Sequence, residues 1–213
     1  MMSPLHMLEI DPNAQHGVAA VILAAGRSTR FGTANKLLSD VAGKPMIARV
    51  VETVRASGVD IVHVVVGHES DKVKDALRHL DITLIDNPHY EEGMSSSVAA
   101  GIESLPATVG AAFVVLGDMP LLSPAVFTAM LAARRRASDA IMIPSHKGKR
   151  GNPVLWPRRF FDRLVRLQAD SGGRALFKEF ADQLSYVEVA TDAILMDVDT
   201  AEALNAARER SDV

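Results

Sequence analysis

The chain has 213 residues, a formal net charge of −3, no cysteine and 48% hydrophobic residues. This length suits one compact domain, and the apolar fraction is high enough to exclude wholesale disorder. The lack of cysteine excludes a disulfide framework and a thiolate nucleophile, and the mild acidity argues against a nucleic-acid-binding surface. No apolar stretch approaches the roughly 20 residues that span a bilayer. We therefore expect a cytoplasmic enzyme with no membrane or nucleic-acid partner, built as an N-terminal tail (1–16) and a single domain (17–213).

Apolar, β-rich runs alternate with helical patterns through the first two thirds of the chain. The predicted strands cover 18–23, 61–66, 82–85 and 111–116, and the predicted helices cover 44–58, 70–80, 95–105 and 123 to about 136. Pro45 suits a first helical turn, and Ser70 and Ser123 suit N-caps. Alternation at this spacing predicts βαβ units and a mostly parallel sheet with helices on both faces.

The pattern changes after residue 140. Two extended runs surround a polar turn over 140–156, which predicts a β-hairpin excursion. Helices at 157–168 and 173–183, a strand at 186–189 and a helix at 200–210 complete the prediction. The fold class is therefore α/β.

The turn after the first strand has the composition of a phosphate-binding loop. It reads Leu23-Ala24-Ala25-Gly26-Arg27-Ser28, with Arg30, Gly32 and Lys36 following. Residues 27–44 contain four basic residues and one acidic residue, a local charge of 4 − 1 = +3. Ligands in parallel sheets bind beyond the carboxyl ends of the strands, and a glycine there lets the backbone approach a phosphate. The alternative is an ordinary turn with solvated basic side chains.

Two acidic motifs suggest a metal site. Asp118 follows the strand at 111–116, where a carboxylate would suit Mg²⁺, although it could simply hydrogen-bond the turn before Pro120. Asp197 and Asp199 alternate on an extended segment and so share one face. They could approach one cation, or one of them could cap the last helix.

Two polar segments could contact substrates. Gly93 and three serines, including Ser95 and Ser96, open a predicted helix, where they offer a cap and free donors. The hairpin tip contains Arg150 and Asn152, and Arg174 follows a later glycine pair. This basic tip is either a solvated turn or a surface that closes over an anionic second substrate.

The motifs in this order resemble the MobA-like nucleotidyltransferases, and within them the molybdenum cofactor cytidylyltransferases most of all. The matching segments are LAAGRSTRFGTANKLL at 23–38, GKP at 43–45, GMSSSV at 93–98, GDMPLL at 117–122, GKRGNPVLW at 148–156, ADSGGRALF at 169–177 and DVDT at 197–200. They span about 180 residues. The resemblance implies a Rossmann-like, three-layer nucleotidyltransferase fold.

The resemblance also implies an activity. A nucleotidyl group would pass from a nucleoside triphosphate to a phosphorylated acceptor, molybdopterin, with release of pyrophosphate and with Mg²⁺ as cofactor. It assigns catalysis to Arg27, Lys36 and Asp118, and the metal to Asp118, Asp199 and Asp197. It assigns the nucleotide to Leu23, Ala24, Ala25, Gly26, Arg27, Ser28, Arg30, Gly32, Lys36, Gly93, Ser95 and Ser96, and the acceptor to Arg150, Asn152 and Arg174.

Alternatives remain for the substrates. Guanylyl-transferring relatives tend to carry glycine where this chain has Ala25, which favours CTP over GTP. The chain reads Ala169-Asp170 where the family has Gly-Asp, and Thr200-Ala201-Glu202-Ala203 where the family has TPED. These departures concern the acceptor side and leave the nucleotide motifs intact. The alternative functions are a guanylyltransferase, a phosphosugar or alcohol-phosphate nucleotidyltransferase, and a non-catalytic cofactor carrier or insertion chaperone, although Asp118 and Lys36 argue against a pure carrier. A molybdoenzyme would be the partner protein.

Overall fold

The computed structural model describes residues 17–27, 31, 35–167 and 174–211. The expected tail at 1–16 therefore lies outside the described residues. Within them, no helix has both the length and the apolar character needed to cross a membrane.

A central sheet forms the middle layer of the fold. Its strands are β1 (Gly17–Ala24), β4 (Ile61–Val66), β5 (Thr83–Asp86), β6 (Val109–Leu116), β7 (Ile141–His146), β8 (Lys149–Arg150), β9 (Val154–Pro157) and β10 (Leu184–Glu188). The order is β10-β7-β9-β6-β1-β4-β5, with β8 pairing β7. In the described sheet, β8 and β9 run against the other strands. The predicted mostly parallel α/β sheet is thus confirmed.

A small hairpin and seven α-helices complete the described fold. The hairpin strands are β2 (Asp40–Val41) and β3 (Lys44–Pro45). The helices are α1 (Met46–Arg55), α2 (Ser70–Leu77), α3 (Met94–Glu103), α4 (Pro124–Arg134), α5 (Phe161–Val165), α6 (Arg174–Glu179) and α7 (Ala201–Ser211).

The sheet separates two apolar cores, which makes three layers. Along β1, Ala20 and Ile22 pack into a core with α1, α2 and α4, whereas Ala19 and Val21 pack into a second core with α3 and α5. This follows from the alternation of side chains across a strand. Every residue from 18 to 22 is buried, as expected for a strand covered on both faces.

Several local details differ from the sequence predictions. Pro45 lies in β3 and immediately precedes α1, because Ala42 and Gly43 at positive φ turn the chain into the small hairpin first. Glu69 caps α2 in the left-handed region, so Ser70 is the first helical residue and not the cap. Ser123 does occupy the N-cap of α4, although its side chain makes no capping hydrogen bond.

The predicted hairpin after residue 140 is present, and its long strands belong to the central sheet. Lys147 at φ +49° and Gly148 at φ +76° connect β7 to β8, as a tight two-residue turn requires. From there β9 runs back between β7 and β6.

Candidate functional site

A cavity of about 480 Å³ opens at the carboxyl edge of the parallel strands. This volume lies in the range typical of small-molecule sites. Its lining residues come from the loop after β1, the start of α3 and both acidic segments. They are Leu23, Ala25, Gly26, Arg27, Phe31, Lys36, Leu37, Tyr90, Glu91, Gly93, Met94, Ser97, Leu116, Gly117, Asp118, Asp197 and Asp199.

Strand register brings the Gly26 turn next to Asp118. Leu23 pairs with Leu116 where β1 and β6 end, and the Gly117 N–H donates to the Leu23 carbonyl at 3.0 Å. A Cβ on Gly117 would lie 2.7 Å from that carbonyl oxygen, so only glycine fits. The two loops leave the sheet side by side as a result.

The C-terminal acidic segment joins this edge through the backbone. The Val198 N–H donates to the Asp118 carbonyl at 2.9 Å, while the Val198 side chain is buried with Leu204 of α7. Asp197 and Asp199 consequently face Asp118, and one carboxylate oxygen from each of the three lies within 4.8 Å of the others. The expectation that the 197–199 carboxylates share a face therefore agrees with the geometry.

The Lys36 ammonium lies within this acidic cluster. Its Nζ donates to Asp118 Oδ2 at 2.6 Å and to Asp199 Oδ1 at 2.5 Å. The lysine side chain is only 13% exposed, and Asp118 is 17% exposed. The backbone of Lys36 belongs to a short 3₁₀ turn, Lys36–Leu38. Asn35 caps this turn, since its side chain accepts a hydrogen bond from the Leu37 N–H.

Burial and the charge of the partner shift the pKa values of Lys36 and Asp118 in opposite directions. Burial lowers the pKa of Lys36, but attraction by Asp118 and Asp199 outweighs it, so the pKa lies above its usual value. Burial raises the pKa of Asp118 against the opposing pull of Lys36, and the neighbouring Asp197 and Asp199 raise it further. Among the described residues, the buried Asp118 Oδ1 has no hydrogen-bond partner. The cluster therefore has residual capacity for a cation.

An exposed ion pair also lines the cavity. Arg27 Nη1 lies 3.4 Å from Glu91 Oε1, and the two side chains are 55% and 63% exposed. Beside them, Tyr90 packs against Gly67 and Ala25, and a Cβ on Gly67 would lie 2.6 Å from Tyr90 Cβ. The loop that follows β1 and contains Gly26 and Arg27 (the first loop) and the segment before α3 thus form adjoining walls of the cavity.

The serines that begin α3 have distinct surroundings. Ser97 lines the cavity and accepts a hydrogen bond from Asn87 Nδ2 at 3.0 Å. Ser96 also accepts from Asn87 and donates to the carbonyls of His89 and Gly93. Ser95 is buried, and neither Ser95 nor Ser96 is among the residues that line the cavity. Gly93 does line it, as the motif suggests.

The remaining predicted site residues lie apart from the cavity or outside the described residues. Ala24 is buried in the core, and Arg150 and Asn152 do not line the cavity. Arg150 lies 5.4 Å from the Phe177 ring centroid, and the Asn152 N–H donates to the Ile194 carbonyl at 2.9 Å. Ser28, Arg30, Gly32 and 168–173 lie outside the described residues, as does the side chain of Arg174.

Sequence reasoning assigned no site role to several cavity residues, chiefly Phe31, Leu37, Tyr90 and Glu91, and of the three serines it selected Ser95 and Ser96 rather than the cavity-lining Ser97. One signal was available for Tyr90 and Glu91. They lie between the end of β5 and the start of α3, at the edge where parallel sheets bind ligands. Their adjacency to Gly93 could have identified them.

The chain has both sequence and structural relatives. It is 37% identical over 113 residues to the bifunctional protein GlmU of Staphylococcus saprophyticus, a match that covers 53% of this chain and 25% of that protein. The chain spans about a quarter of the length of the curated relatives it matches.

Solved structures share the fold. A nucleotidyl transferase from Methanothermobacter thermautotroptrophicus superposes with a TM-score of 0.79 at 22% identity, covering 92% of this chain and 97% of that one. Rv0371C of Mycobacterium tuberculosis in complex with manganese gives 0.75 at 21% (91% and 98% covered). A CMP:2-keto-3-deoxy-manno-octonic acid synthetase complexed with CTP gives 0.74 at 18% (91% and 98% covered).

The profile of one family matches residues 20–185, which include the loop after β1, the serines that begin α3 and Asp118. On that match, this chain belongs to the family of the MobA-like NTP transferase domain.

Proposed function

We propose that the chain, as a single domain over 17–213, is a nucleotidyltransferase that transfers CMP from CTP to a phosphorylated acceptor and releases pyrophosphate. The observation that carries this proposal is the convergence of Lys36, Asp118 and Asp199 beside the Gly26–Arg27 turn in one cavity. The cavity thus offers cations that could bind phosphates, and it also offers carboxylates that could bind a divalent ion. Family membership supports the same activity.

The reaction needs positioning and charge neutralisation more than covalent protein chemistry. An acceptor phosphate oxygen forms a bond to the α-phosphorus, and the bond from that phosphorus to the bridging oxygen breaks. Pyrophosphate leaves with the electron pair. Arg27 and Lys36 would stabilise its developing charge, with Gly26 leaving room for the phosphates. A phosphate acceptor is largely ionised near neutral pH, so no general base is required.

The acidic cluster fits Mg²⁺. Three carboxylates supply the hard oxygen ligands that this ion prefers, and the partnerless Asp118 Oδ1 is a buried atom that a cation would satisfy. Asp118, Asp199 and Asp197 would hold it, and the bound ion would supply positive charge at the reacting phosphates. A structural relative in complex with manganese supports the proposal that this chain uses a divalent ion.

CTP is the preferred nucleotide on two grounds. Ala25 stands where guanylyl-transferring relatives carry glycine, and one structural relative is complexed with CTP. Leu23, Ala25, Gly93 and Ser97 line the cavity, and the resemblance implies that the segment beginning at Gly93 lies near the base. Ser28, Arg30, Gly32, Ala24, Ser95 and Ser96 remain predicted nucleotide contacts by resemblance.

Molybdopterin is the proposed acceptor, with a molybdoenzyme as the protein that receives the product. The support is the resemblance to molybdenum cofactor cytidylyltransferases, in which the segment containing Arg150, Asn152 and Arg174 faces the acceptor. Stacking over Phe177 gives the Arg150 guanidinium a defined position beside α6. A phosphosugar or alcohol phosphate is the alternative acceptor.

One screen tests the proposal. Pyrophosphate release is measured with CTP, GTP, ATP and UTP, each with purified molybdopterin, with a phosphosugar and with no acceptor, in the presence of Mg²⁺. We expect release with CTP and molybdopterin together. Release with GTP or with a phosphosugar would reassign the substrate, and tight molybdopterin binding without release would identify a carrier.

A matched pair of variants tests the site. Asp118→Asn keeps the shape but removes the charge, so we expect turnover to fall by about 10²-fold or more. Asp86→Asn is the control, because Asp86 also ends a strand and pairs with a lysine, Lys74, at 2.6 Å, yet does not line the cavity. Wild-type turnover in Asp118→Asn would refute the assignment.

A further inference from the structure

The ammonium of Lys36 contacts two carboxylate oxygens that could also ligate a divalent ion. It takes one oxygen from Asp118 and one from Asp199, two of the three carboxylates that could hold a metal. A divalent ion bound to those same oxygens would lie within a few ångströms of the ammonium. Because like charges at that distance repel strongly, the two cations compete for the cluster.

The lysine is built so that its side chain can leave without disturbing the fold. Its backbone is held in the Lys36–Leu38 turn by the Asn35 cap, while Leu37 beside it is buried. The ammonium lies at the end of a flexible four-carbon stem, which can rotate away from the cluster. The cavity that Lys36 lines is the space into which it would move.

We propose that Lys36 is an exchangeable counter-ion: it neutralises Asp118 and Asp199 in the nucleotide-free protein and moves to the phosphates when a divalent ion and nucleotide bind. The nucleotide half of this proposal rests on the proposed function, whereas the competition with metal does not. The exchange couples the two ligands, so that metal alone binds weakly and metal with nucleotide binds well.

The test titrates Mn²⁺ alone into the protein, with the unbound ion followed by electron paramagnetic resonance. Lys36→Met removes the competing charge, and we expect it to bind Mn²⁺ at least about tenfold more tightly than wild type, equivalent to about 1.4 kcal/mol. Lys36→Arg keeps a cation and should retain wild-type affinity. Lys44→Met is the matched control, since Lys44 pairs with Glu52 outside the cavity.

Equal or weaker Mn²⁺ binding by Lys36→Met would overturn the proposal, because the lysine would then be a static part of the cluster. Circular dichroism checks that each variant is folded, and Lys36→Gln serves as a second uncharged variant.

A second arm adds a non-hydrolysable CTP analogue. We expect it to tighten Mn²⁺ binding in wild type, and Lys36→Met to bind the analogue more weakly. If Lys36→Met binds Mn²⁺ more tightly but the wild-type protein does not bind the CTP analogue, only the proposed nucleotide is refuted. Intact CTP binding without any gain in Mn²⁺ affinity would refute only the counter-ion role.

Discussion

The ion pair between Arg27 and Glu91 allows a prediction about nucleotide affinity. If Arg27 binds the triphosphate, Glu91 competes with the phosphates for its guanidinium, because Arg27 Nη1 lies 3.4 Å from Glu91 Oε1. Glu91→Gln removes the carboxylate's charge and keeps its shape. Arg27 is then released from its competitor, so the variant should bind a non-hydrolysable CTP analogue more tightly than wild type.

The exposure of the pair limits the size of this effect. Both side chains are more than half exposed, and such pairs contribute at most about 1 kcal/mol because solvent screens them. The dissociation constant should therefore fall by no more than about fivefold. The gain should shrink as ionic strength rises, since screening weakens exposed interactions further.

Isothermal titration calorimetry at low and high salt measures the dissociation constants. A double-mutant cycle with Arg27→Gln then separates competition for the arginine from direct repulsion between Glu91 and phosphate. In the Arg27→Gln background, the benefit of Glu91→Gln should be lost. Weaker binding by Glu91→Gln at low salt would refute the assignment of Arg27 to the phosphates.

Two further predictions concern the fold. In Gly101→Ala the new Cβ would lie 2.2 Å from Val21 Cγ1, so we expect overpacking to remove about 1–3 kcal/mol of unfolding free energy; a Tm at or above wild type would contradict this. Burial lowers the pKa of His63, so the unfolded chain takes up a proton first as pH falls below about 6.5. The stability advantage of wild type over His63→Gln, measured by urea unfolding, should therefore shrink between about pH 7.5 and pH 5.

The strand-end motifs were predictable because parallel strands bring distant segments to one edge. Asp118 follows a buried apolar run, and the Gly26 turn follows another, so their placement at the same edge of the sheet follows from the fold class. The shared face of Asp197 and Asp199 follows from the alternation of an extended segment.

The contacts within the site were not predictable in the same way. Lys36 meets Asp199 across 163 positions of sequence, and no local pattern specifies that pairing. Consecutive serines on a helix point about 100° apart, and the sequence does not give the rotation that places Ser97, rather than Ser96, on the cavity wall. That rotation depends on the packing of Gly101 against Val21 of the sheet.

The ion pairs of Arg27 and Lys36 affect which anions the cavity can bind. In the described part of the first loop, Arg27 is paired with Glu91, and Lys36 is paired with Asp118 and Asp199. An anion therefore competes with a carboxylate at each cation, and its net affinity depends on the difference between the two pairings. A lone phosphate would leave Asp118 and Asp199 without a cation, which is costly for partly buried carboxylates. A nucleoside triphosphate that arrives with a divalent ion satisfies the lysine and the carboxylates together, so the cluster should favour that complex over free phosphate.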